Sequence, residues 1–335
     1  EMLNLLMTDP KITEGSKKSY LNQLFGERRL EKNDPVFMSL ALFHHGLYGD
    51  ASRQKSRISE QEVKKIDPAE FAALAKEITA NYSADIIYHG NVKLPELREK
   101  LSRHLNLTTT EKAEEYIYPE AVTPKKNKIY LVHNKKSVQS RVYFYVRGGG
   151  YKLEDYATTN AFNQYFSGGF SGLVTQEIRE YRSLAYAVDA LYNPPLLPGN
   201  DGRLYAVVGC QSDKTNDAIA VMTDLLNDMP ARPERMPSLR KALQLQVVTD
   251  FPGPEGMANE LIGMRRQGHR TDPNQKAYSQ YPDIEMEDIV KYYEQNVKGR
   301  PVMITIYGDK RNIDIDQLRK IGEVIELKKD DVATF

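Results

Sequence analysis

Arg179 and Tyr186 are the two side chains whose types and spacing suggest chemistry in this 335-residue chain. A guanidinium carries five N–H donors and a phenol carries an O–H donor, so both groups suit hydrogen-bond donation to a ligand oxygen. The two residues lie seven positions apart, where the sequence pattern changes from helical to extended. We expect their polar ends to lie close together, open to a concave surface and without a strong buried partner.

The elements that must position this pair are a loop, a short helix and a strand. Three glycines fall within residues 168–172, a density that is unfavourable unless a sharp turn or a close backbone approach requires it. Residues 173–182 carry apolar side chains four positions apart, which predicts one buried helical face. Over residues 184–188 the apolar period is two, which predicts a strand. Arg179 then lies on the last helical turn and Tyr186 near the start of the strand.

Residues 169–186 read Gly-x-Ser-Gly-Leu-x-x-x-Glu-Ile-Arg-Glu-x-Arg-x-Leu-Ala-Tyr. This block resembles the non-catalytic half of the insulinase/pitrilysin family of zinc metallopeptidases, and a weaker resemblance covers residues 59–328. In that family, one half of a clamshell carries the metal motif His-x-x-Glu-His, and the other carries an Arg and a Tyr that hold the substrate backbone at the zinc. The resemblance implies this role for Arg179 and Tyr186. The chain departs from the family pattern at Gly172, where the family usually has the Arg of Ser-Arg-Leu.

No metal site is expected in this chain. At the helix where the resemblance places the metal motif in the active half, the sequence has Asn160, Asn163 and Gln164. These amides cannot replace the ligands of a hydrolytic zinc site. The histidines are scattered apart from one adjacent pair: His44, His45, His89, His104, His133 and His269. We therefore expect the isolated chain to bind no zinc and to hydrolyse no peptide, with zinc in a catalytic half.

Other catalytic and binding chemistries match the sequence less well. Ser171 lies in a glycine-rich turn before a helix, but Leu173 occupies the last position of Gly-x-Ser-x-Gly, so helix capping explains this serine better. Residues 148–150 are glycines after a predicted strand, yet no Lys-Ser or Lys-Thr follows them as in a phosphate-binding loop. The lysines within residues 125–136 lack interleaved base-stacking aromatic side chains and are predicted to form a solvated face.

The composition limits the partners and leaves the compartment open. Lys plus Arg equals Asp plus Glu at 46 each, so the net charge favours neither nucleic acid nor an anionic membrane surface. The single cysteine, Cys210, cannot form an internal disulfide, which leaves both a periplasmic and a cytoplasmic location open. No apolar run in the sequence is long enough for a membrane span. The chain begins Glu-Met-Leu-Asn without a signal-like core, and we expect it to be cut from a longer polypeptide.

A helix–strand–helix pattern occurs twice in the sequence. Residues 67–104 begin with an N-cap and a proline, contain a predicted strand at residues 84–88 and end in a helix. Residues 285–324 repeat this order, and we interpret the repeat as an internal duplication. Because the order is common in proteins that mix helices and strands, this interpretation also depends on the resemblance. The expected parts are residues 1–110 as the C-terminal part of a first α+β repeat, residues 111–127 as a linker and residues 128–335 as a complete second repeat carrying the Arg/Tyr pair.

The second repeat is predicted to be an α+β two-layer sandwich of the metallopeptidase/processing-peptidase type, a largely antiparallel sheet with helices on one face. Strands at residues 128–133 and 140–147 are predicted to form a hairpin. A strand at residues 203–209 is predicted to pair with residues 184–192. Two amphipathic helices within residues 213–249 would cover one face of this sheet.

Two classes of function follow from these observations. The leading hypothesis is the substrate-holding, non-catalytic half of an insulinase-type zinc metallopeptidase, whose partners are a peptide and a catalytic half on the same polypeptide or on a separate subunit. Arg179 and Tyr186 would donate hydrogen bonds to the peptide oxygen that becomes anionic. The alternative is an inactive family member that acts as a scaffold or peptide-binding subunit. For the pair itself, the structural alternative is an ion pair of Arg179 with Glu177 or Glu180 and a half-buried Tyr186. A His-x-x-Glu-His motif upstream or in a neighbouring reading frame would favour the peptidase.

Overall fold

The computed structural model describes residues 2–81, 86–105, 119–250 and 252–335. In this part of the chain the helices are α1 (Met2–Thr8), α2 (Glu14–Glu31), α3 (Pro35–Tyr48), α4 (Glu60–Lys65), α5 (Pro68–Asn81), α6 (Leu94–His104), α7 (Tyr156–Ser167), α8 (Thr215–Asn227), α9 (Met236–Thr249), α10 (Pro254–Arg266), α11 (Pro273–Gln280), α12 (Met286–Asn296), α13 (Ile315–Ile321) and α14 (Lys329–Val332). The strands are β1 (Lys128–His133), β2 (Gln139–Gly150), β3 (Ala185–Asn193), β4 (Asp201–Gln211), β5 (Val302–Gly308) and β6 (Glu323–Leu327). None of the helices in these described ranges combines the length and the apolar character that crossing a membrane requires.

Two compact units divide the chain: residues 1–33 with 56–120 and 334–335, and residues 34–55 with 121–333. The first unit contains α1, α2, α4, α5 and α6. Helix α5 begins as the sequence predicts, because Asp67 accepts a hydrogen bond from the Ala69 N–H at 2.7 Å and Pro68 takes the first helical position. A small core in this unit buries Leu21, Phe25 and Val63.

The two helix–strand–helix patterns differ in the described residues. Residues 86–89 have no regular secondary structure, and residues 82–85, which include the start of the predicted strand, lie outside the described part of the chain. In the second pattern α12 is followed by β5 and α13, and the chain enters β6 at Glu323. The duplication and the domain bounds 1–110, 111–127 and 128–335 therefore stay predictions.

The second unit contains a six-stranded sheet in the order β3-β4-β2-β5-β1-β6. Strands β3, β4, β2 and β5 pair antiparallel, while β1 is parallel to β5 and β6. The α+β class, the largely antiparallel sheet and the predicted pairing of β3 with β4 are confirmed. The predicted hairpin between residues 128–133 and 140–147 is wrong because β5 lies between these strands. Every residue of β5 is buried, which suits an interior strand covered on both faces.

Helices cover both faces of this sheet. On one face, α7, α8, α9 and α12 contribute to the main core, in which Phe162 is completely buried. On the other face, α3 packs against β2 and β5, and Phe43 is buried beside Tyr145 and Met303. Gly46 permits this close approach, since a Cβ there would lie 2.7 Å from the Met303 sulfur. The predicted helices within residues 213–249 are present as α8 and α9, and α3 adds a layer on the second face.

Candidate functional site

The glycine-rich loop after α7 makes the sharp turns that its sequence predicts. Gly169 has a φ of +57°, in the left-handed region that favours glycine. Gly172 approaches the end of α7 so closely that a Cβ would lie 2.5 Å from the backbone carbonyl carbon of Ser167. Ser171 donates its hydroxyl proton to the Gly168 carbonyl at 3.2 Å, so its side chain bonds within the loop. The loop is therefore a compact turn that leads directly into the segment carrying Arg179.

Residues Thr175–Glu180 form a π-helix, and Arg179 lies near its end. The Tyr181 N–H donates to the Gln176 carbonyl at 2.9 Å, the five-residue spacing of a π turn. Ser183 then has a φ of +50°, which is unusual for a residue with a side chain, before β3 begins. The predicted short helix is present but is wound more widely than an α-helix. Single π-helical turns are rare and occur frequently at functional sites.

Glu177 anchors this π-helix from its buried side. Its carboxylate accepts hydrogen bonds from the Arg182 and Arg232 guanidinium groups, and Arg182 also donates to the Glu177 backbone carbonyl at 2.8 Å. Burial alone would raise the pKa of Glu177, but the hydrogen bonds from the two arginines outweigh burial and lower that pKa. Because two other guanidinium groups occupy the carboxylate, Glu177 is not the partner of Arg179.

Arg179 and Tyr186 contact each other at an exposed corner. The Cζ atom of Arg179 lies 5.5 Å from the centre of the Tyr186 ring and 5.4 Å from the centre of the Phe170 ring. Tyr186 is 80% exposed, and among the described residues none forms a hydrogen bond with its hydroxyl. The Arg179 Nε lies 3.4 Å from the exposed carboxylate of Glu180, a type of surface pair that contributes about 0–1 kcal/mol. Both side chains can therefore donate to a ligand, and their role in holding substrate stays a prediction.

The amide side chains of α7 serve the fold instead of a metal. The Asn163 side chain bonds to the backbone of Tyr192 on β3, and the Asn160 amide donates to the Tyr281 hydroxyl at 3.0 Å. Within the described ranges, no three His, Cys, Asp or Glu side chains are grouped closely enough to hold a metal ion. Asn160, Asn163 and Gln164 therefore do not fit a hydrolytic zinc site, and no chemical step of this chain is assigned to zinc.

A cavity of about 780 Å³ lies beside the same helix, and the sequence pattern had not indicated it. Its walls come from α7, β3, α9, α10, α11 and their flanking turns. Helix α10 was missed as well, although Met257, Leu261 and Met264 recur at steps of four and three residues and all line the cavity. That apolar stripe and Pro254 at the helix start were the signals available in the sequence.

Comparison of the sequence with protein families gives one match relevant to this site. Residues 65–232 match the family described as the peptidase M16 inactive domain, and this range contains both Arg179 and Tyr186. No curated protein matches the chain.

Solved structures with the same fold come from bacteria and from a eukaryotic complex. The peptidase M16 inactive domain from Pseudomonas fluorescens has a TM-score of 0.66 and 16% identity, over 91% of this chain and 73% of that one. The periplasmic protease PqqL from Escherichia coli has a TM-score of 0.66 and 15% identity, over 92% of this chain and 34% of that one. A chain of complex III2 from Candida albicans has a TM-score of 0.63 and 12% identity, over 93% of this chain and 75% of that one. At these identities the similarity shows the fold, and the chain spans about a third of the length of the E. coli protease.

Proposed function

Because the chain belongs to the peptidase M16 family as an inactive domain, we propose that it is the substrate-holding half of an insulinase-type zinc peptidase. In this proposal a peptide is enclosed between this chain and a catalytic half, which carries the zinc and the hydrolytic chemistry. The catalytic half is either another part of the same polypeptide or a separate subunit. The observation that carries the proposal is the contact between the Arg179 guanidinium and the exposed Tyr186 ring.

The two donors differ in what they contribute to a bound peptide. Arg179 supplies a charge-assisted hydrogen bond, which stabilises a buried acceptor by about 1.5–3 kcal/mol. Tyr186 supplies a neutral O–H donor and a ring face that limits the positions open to the guanidinium. A pair of donors in fixed relative positions stabilises an oxygen that gains negative charge more than it stabilises the starting carbonyl.

The surroundings of the pair support a preorganised arrangement. Glu177 binds Arg182 in the following turn and Arg232 in the segment before α9, so the π-helix that presents Arg179 is held to a distant part of the chain. The exposed Glu180 is the only carboxylate within 4 Å of Arg179 among the described residues, and solvent weakens this pair. A peptide carbonyl can therefore replace Glu180 at the guanidinium with little loss of stability.

The complete enzyme, with this chain and its catalytic half together, is the material for the test. Turnover of an unstructured peptide by the Arg179→Ala enzyme is compared with turnover by the Arg319→Ala enzyme. Arg319 is a matched control because it is also exposed and also pairs with a nearby carboxylate, that of Asp316. The proposal expects a loss of turnover with Arg179→Ala alone, and equal turnover of both variants would contradict it. A complete protein that hydrolyses no peptide would instead favour the scaffold or peptide-binding alternative.

A further inference from the structure

The cavity of about 780 Å³ beside α7 has the size of a ligand-binding site. All of its walls belong to the unit that contains the sheet. One wall is the edge strand β3, which contributes Asp189, Ala190 and Leu191. Other walls come from α7, α9, α10 and the start of α11.

Among the lining residues that the structure describes, every side chain that carries charge at neutral pH is a carboxylate. These residues are Asp189, Asp250, Glu260 and Asp272, and the lining residues that the structure describes include no Lys, Arg or His. Asp189 accepts hydrogen bonds from the Ser167 hydroxyl and the Ala190 N–H, and Asp272 caps α11. These donors are neutral, and in the described part of the chain none of the four carboxylates forms a salt bridge. The negative charge of the cavity is therefore not compensated within its walls.

Tyr156 lines the cavity, and its hydroxyl is affected mainly by burial and to a smaller degree by this charge. It donates to the Asn274 side chain at 2.8 Å. Burial raises the pKa of Tyr156 to about 12, and the negative charges of Asp272 and Glu260 act in the same direction. Asp272 at the start of α11 and Glu260 on α10 therefore both act on this half-buried hydroxyl.

The remaining walls suit the stem of a long side chain. Five apolar residues on α9 and α10 line the cavity: Leu243, Val247, Met257, Leu261 and Met264. Amide oxygens that can accept hydrogen bonds are present on α7, α9 and α11, at Asn160, Gln164, Gln246 and Gln275. Lysine and arginine combine an apolar stem with a cationic end, which is the combination that these walls can accommodate.

The strand β3 connects the cavity to the Arg179/Tyr186 corner. Tyr186 lies near its start, and Leu191, five residues further, lines the cavity. At about 3.3 Å per residue this separation is about 17 Å, which an extended peptide covers with five or six residues. A peptide held at Tyr186 can therefore place a later or earlier side chain in the cavity.

We propose that this cavity binds a peptide segment through a lysine or arginine side chain, whose cationic end meets the carboxylates while its stem lies against α9 and α10. The inference rests on the proposed function in one respect, since it takes the ligand of this half to be a peptide. It adds a preference for basic peptides, set by a site that does not include Arg179 or Tyr186.

Fluorescence anisotropy of the full chain with dye-labelled peptides tests the proposal. The probe is a capped, unstructured peptide of about twelve residues with one central lysine, so that the five or six residues on either side can reach from the cavity to Tyr186. Its matched partner has norleucine in place of that lysine. We expect the lysine peptide to bind about tenfold more tightly, with a difference that shrinks as salt is added. Equal affinities of the two peptides would overturn the proposal.

Variants of the chain test whether the lysine preference comes from the cavity. Glu260→Gln should reduce the lysine preference about threefold or more, because it removes a charge that faces the ligand. Glu287→Gln is the matched control, since this exposed carboxylate lies on α12 outside the cavity lining. A similar loss with both variants would indicate general attraction to the surface and would contradict a site at the cavity. Leu261→Trp, a change at a 48% exposed residue, should fill the cavity and weaken binding of the lysine peptide.

One further measurement distinguishes binding at the cavity from the donor role of Arg179. A second distinguishes a peptide ligand from a free cation. Arg179→Ala should weaken both peptides alike and leave the lysine preference intact. A preference that persists while Arg179→Ala has no effect supports the cavity and counts against the donor role of Arg179. Spermidine tests a free polyamine as the ligand: if it binds in a Glu260-dependent manner and the lysine peptide does not bind, the peptide assignment is wrong.

Discussion

The side chain of Asn163 forms two hydrogen bonds with the backbone of Tyr192, donating to its carbonyl at 2.9 Å and accepting from its N–H at 2.8 Å. Tyr192 is buried on β3, and β3 is an edge strand, so the Asn163 amide takes the place of a neighbouring strand at this point. The Asn163 side chain therefore holds the edge of the sheet to α7.

Asn163→Ala should lower the free energy of unfolding by about 1–3 kcal/mol, because it leaves the buried N–H and carbonyl of Tyr192 without partners. Urea unfolding followed by circular dichroism measures the change. Asn160→Ala is the control on the same helix, since it removes a single hydrogen bond to the Tyr281 hydroxyl. An equal loss of stability in both variants would show that the two hydrogen bonds to the Tyr192 backbone do not cause the destabilisation.

Arg179→Ala and Tyr186→Phe should each lower the turnover of the complete enzyme about a hundredfold to a thousandfold, the usual effect of losing one donor to a developing oxyanion. The thermal midpoint should change little, because Tyr186 is exposed, Arg179 is half-exposed and pairs with an exposed carboxylate, and their loss leaves no buried group unpaired. Turnover and thermal midpoint are measured side by side. Variants that melt normally and cleave at the wild-type rate would remove both residues from the mechanism.

Glu177→Gln should destabilise the chain by about 2–4 kcal/mol at neutral pH, because it leaves two guanidinium groups without their carboxylate. The folded-state pKa of Glu177 lies below its usual value of 4.5. The stability that this carboxylate contributes is therefore present above about pH 4.5 and is lost as the pH falls through the lowered folded-state value.

The measurement for Glu177 is urea unfolding of wild type and variant at neutral pH and at successively lower pH. The difference between the two proteins should shrink as the pH falls below 4.5. Glu180→Gln is the control in the same π-helix and should unfold like wild type at neutral pH, since Glu180 is exposed. A difference that stays constant with pH would contradict the role assigned to the Glu177 charge.

Gly172→Ala should destabilise the chain by about 1–3 kcal/mol, because its Cβ would lie 2.5 Å from the Ser167 carbonyl carbon. Gly263→Ala is the matched control within α10 of the same unit, where no described atom beyond the neighbouring residues and the backbone of its own helix lies within 4 Å of the new Cβ. This control should be neutral or stabilise the chain by up to about 1 kcal/mol, since alanine favours a helix over glycine. The thermal midpoint should fall in Gly172→Ala and should stay the same or rise in Gly263→Ala. An unchanged midpoint in Gly172→Ala would show that the loop can accommodate the Cβ without loss of stability.

The isolated chain should contain no stoichiometric zinc after dialysis and should hydrolyse no peptide. The reason is the chemistry of Asn160, Asn163 and Gln164, whose amides are poor replacements for the imidazole and carboxylate ligands that zinc prefers. Elemental analysis of the dialysed protein and a peptide cleavage assay are the measurements. Zinc at one equivalent per chain would contradict this prediction and would require a ligand set from elsewhere in the chain.

The sequence by itself determined the local elements around the Arg179/Tyr186 block. Its glycines predicted the sharp loop, its change of period from four to two predicted a helix followed by a strand, and its residue pattern indicated the family. The pairing of β3 with β4 was also predictable, because an obvious turn connects the two strands. These features depend on residues that are close together in the chain.

Tertiary structure alone decided which distant elements meet. The apolar alternation of β1 and β2 was consistent with a hairpin, yet β5, which is more than 150 residues away in the chain, pairs with both strands. The packing of α3 on the second face of the sheet and the cavity lined by β3 and α10 also depend on contacts between distant parts of the chain. A periodic pattern specifies that a face will be buried but does not specify its partner, because the hydrophobic effect is not directional and many apolar faces can satisfy it. The partner of each face follows from the packing of the whole unit.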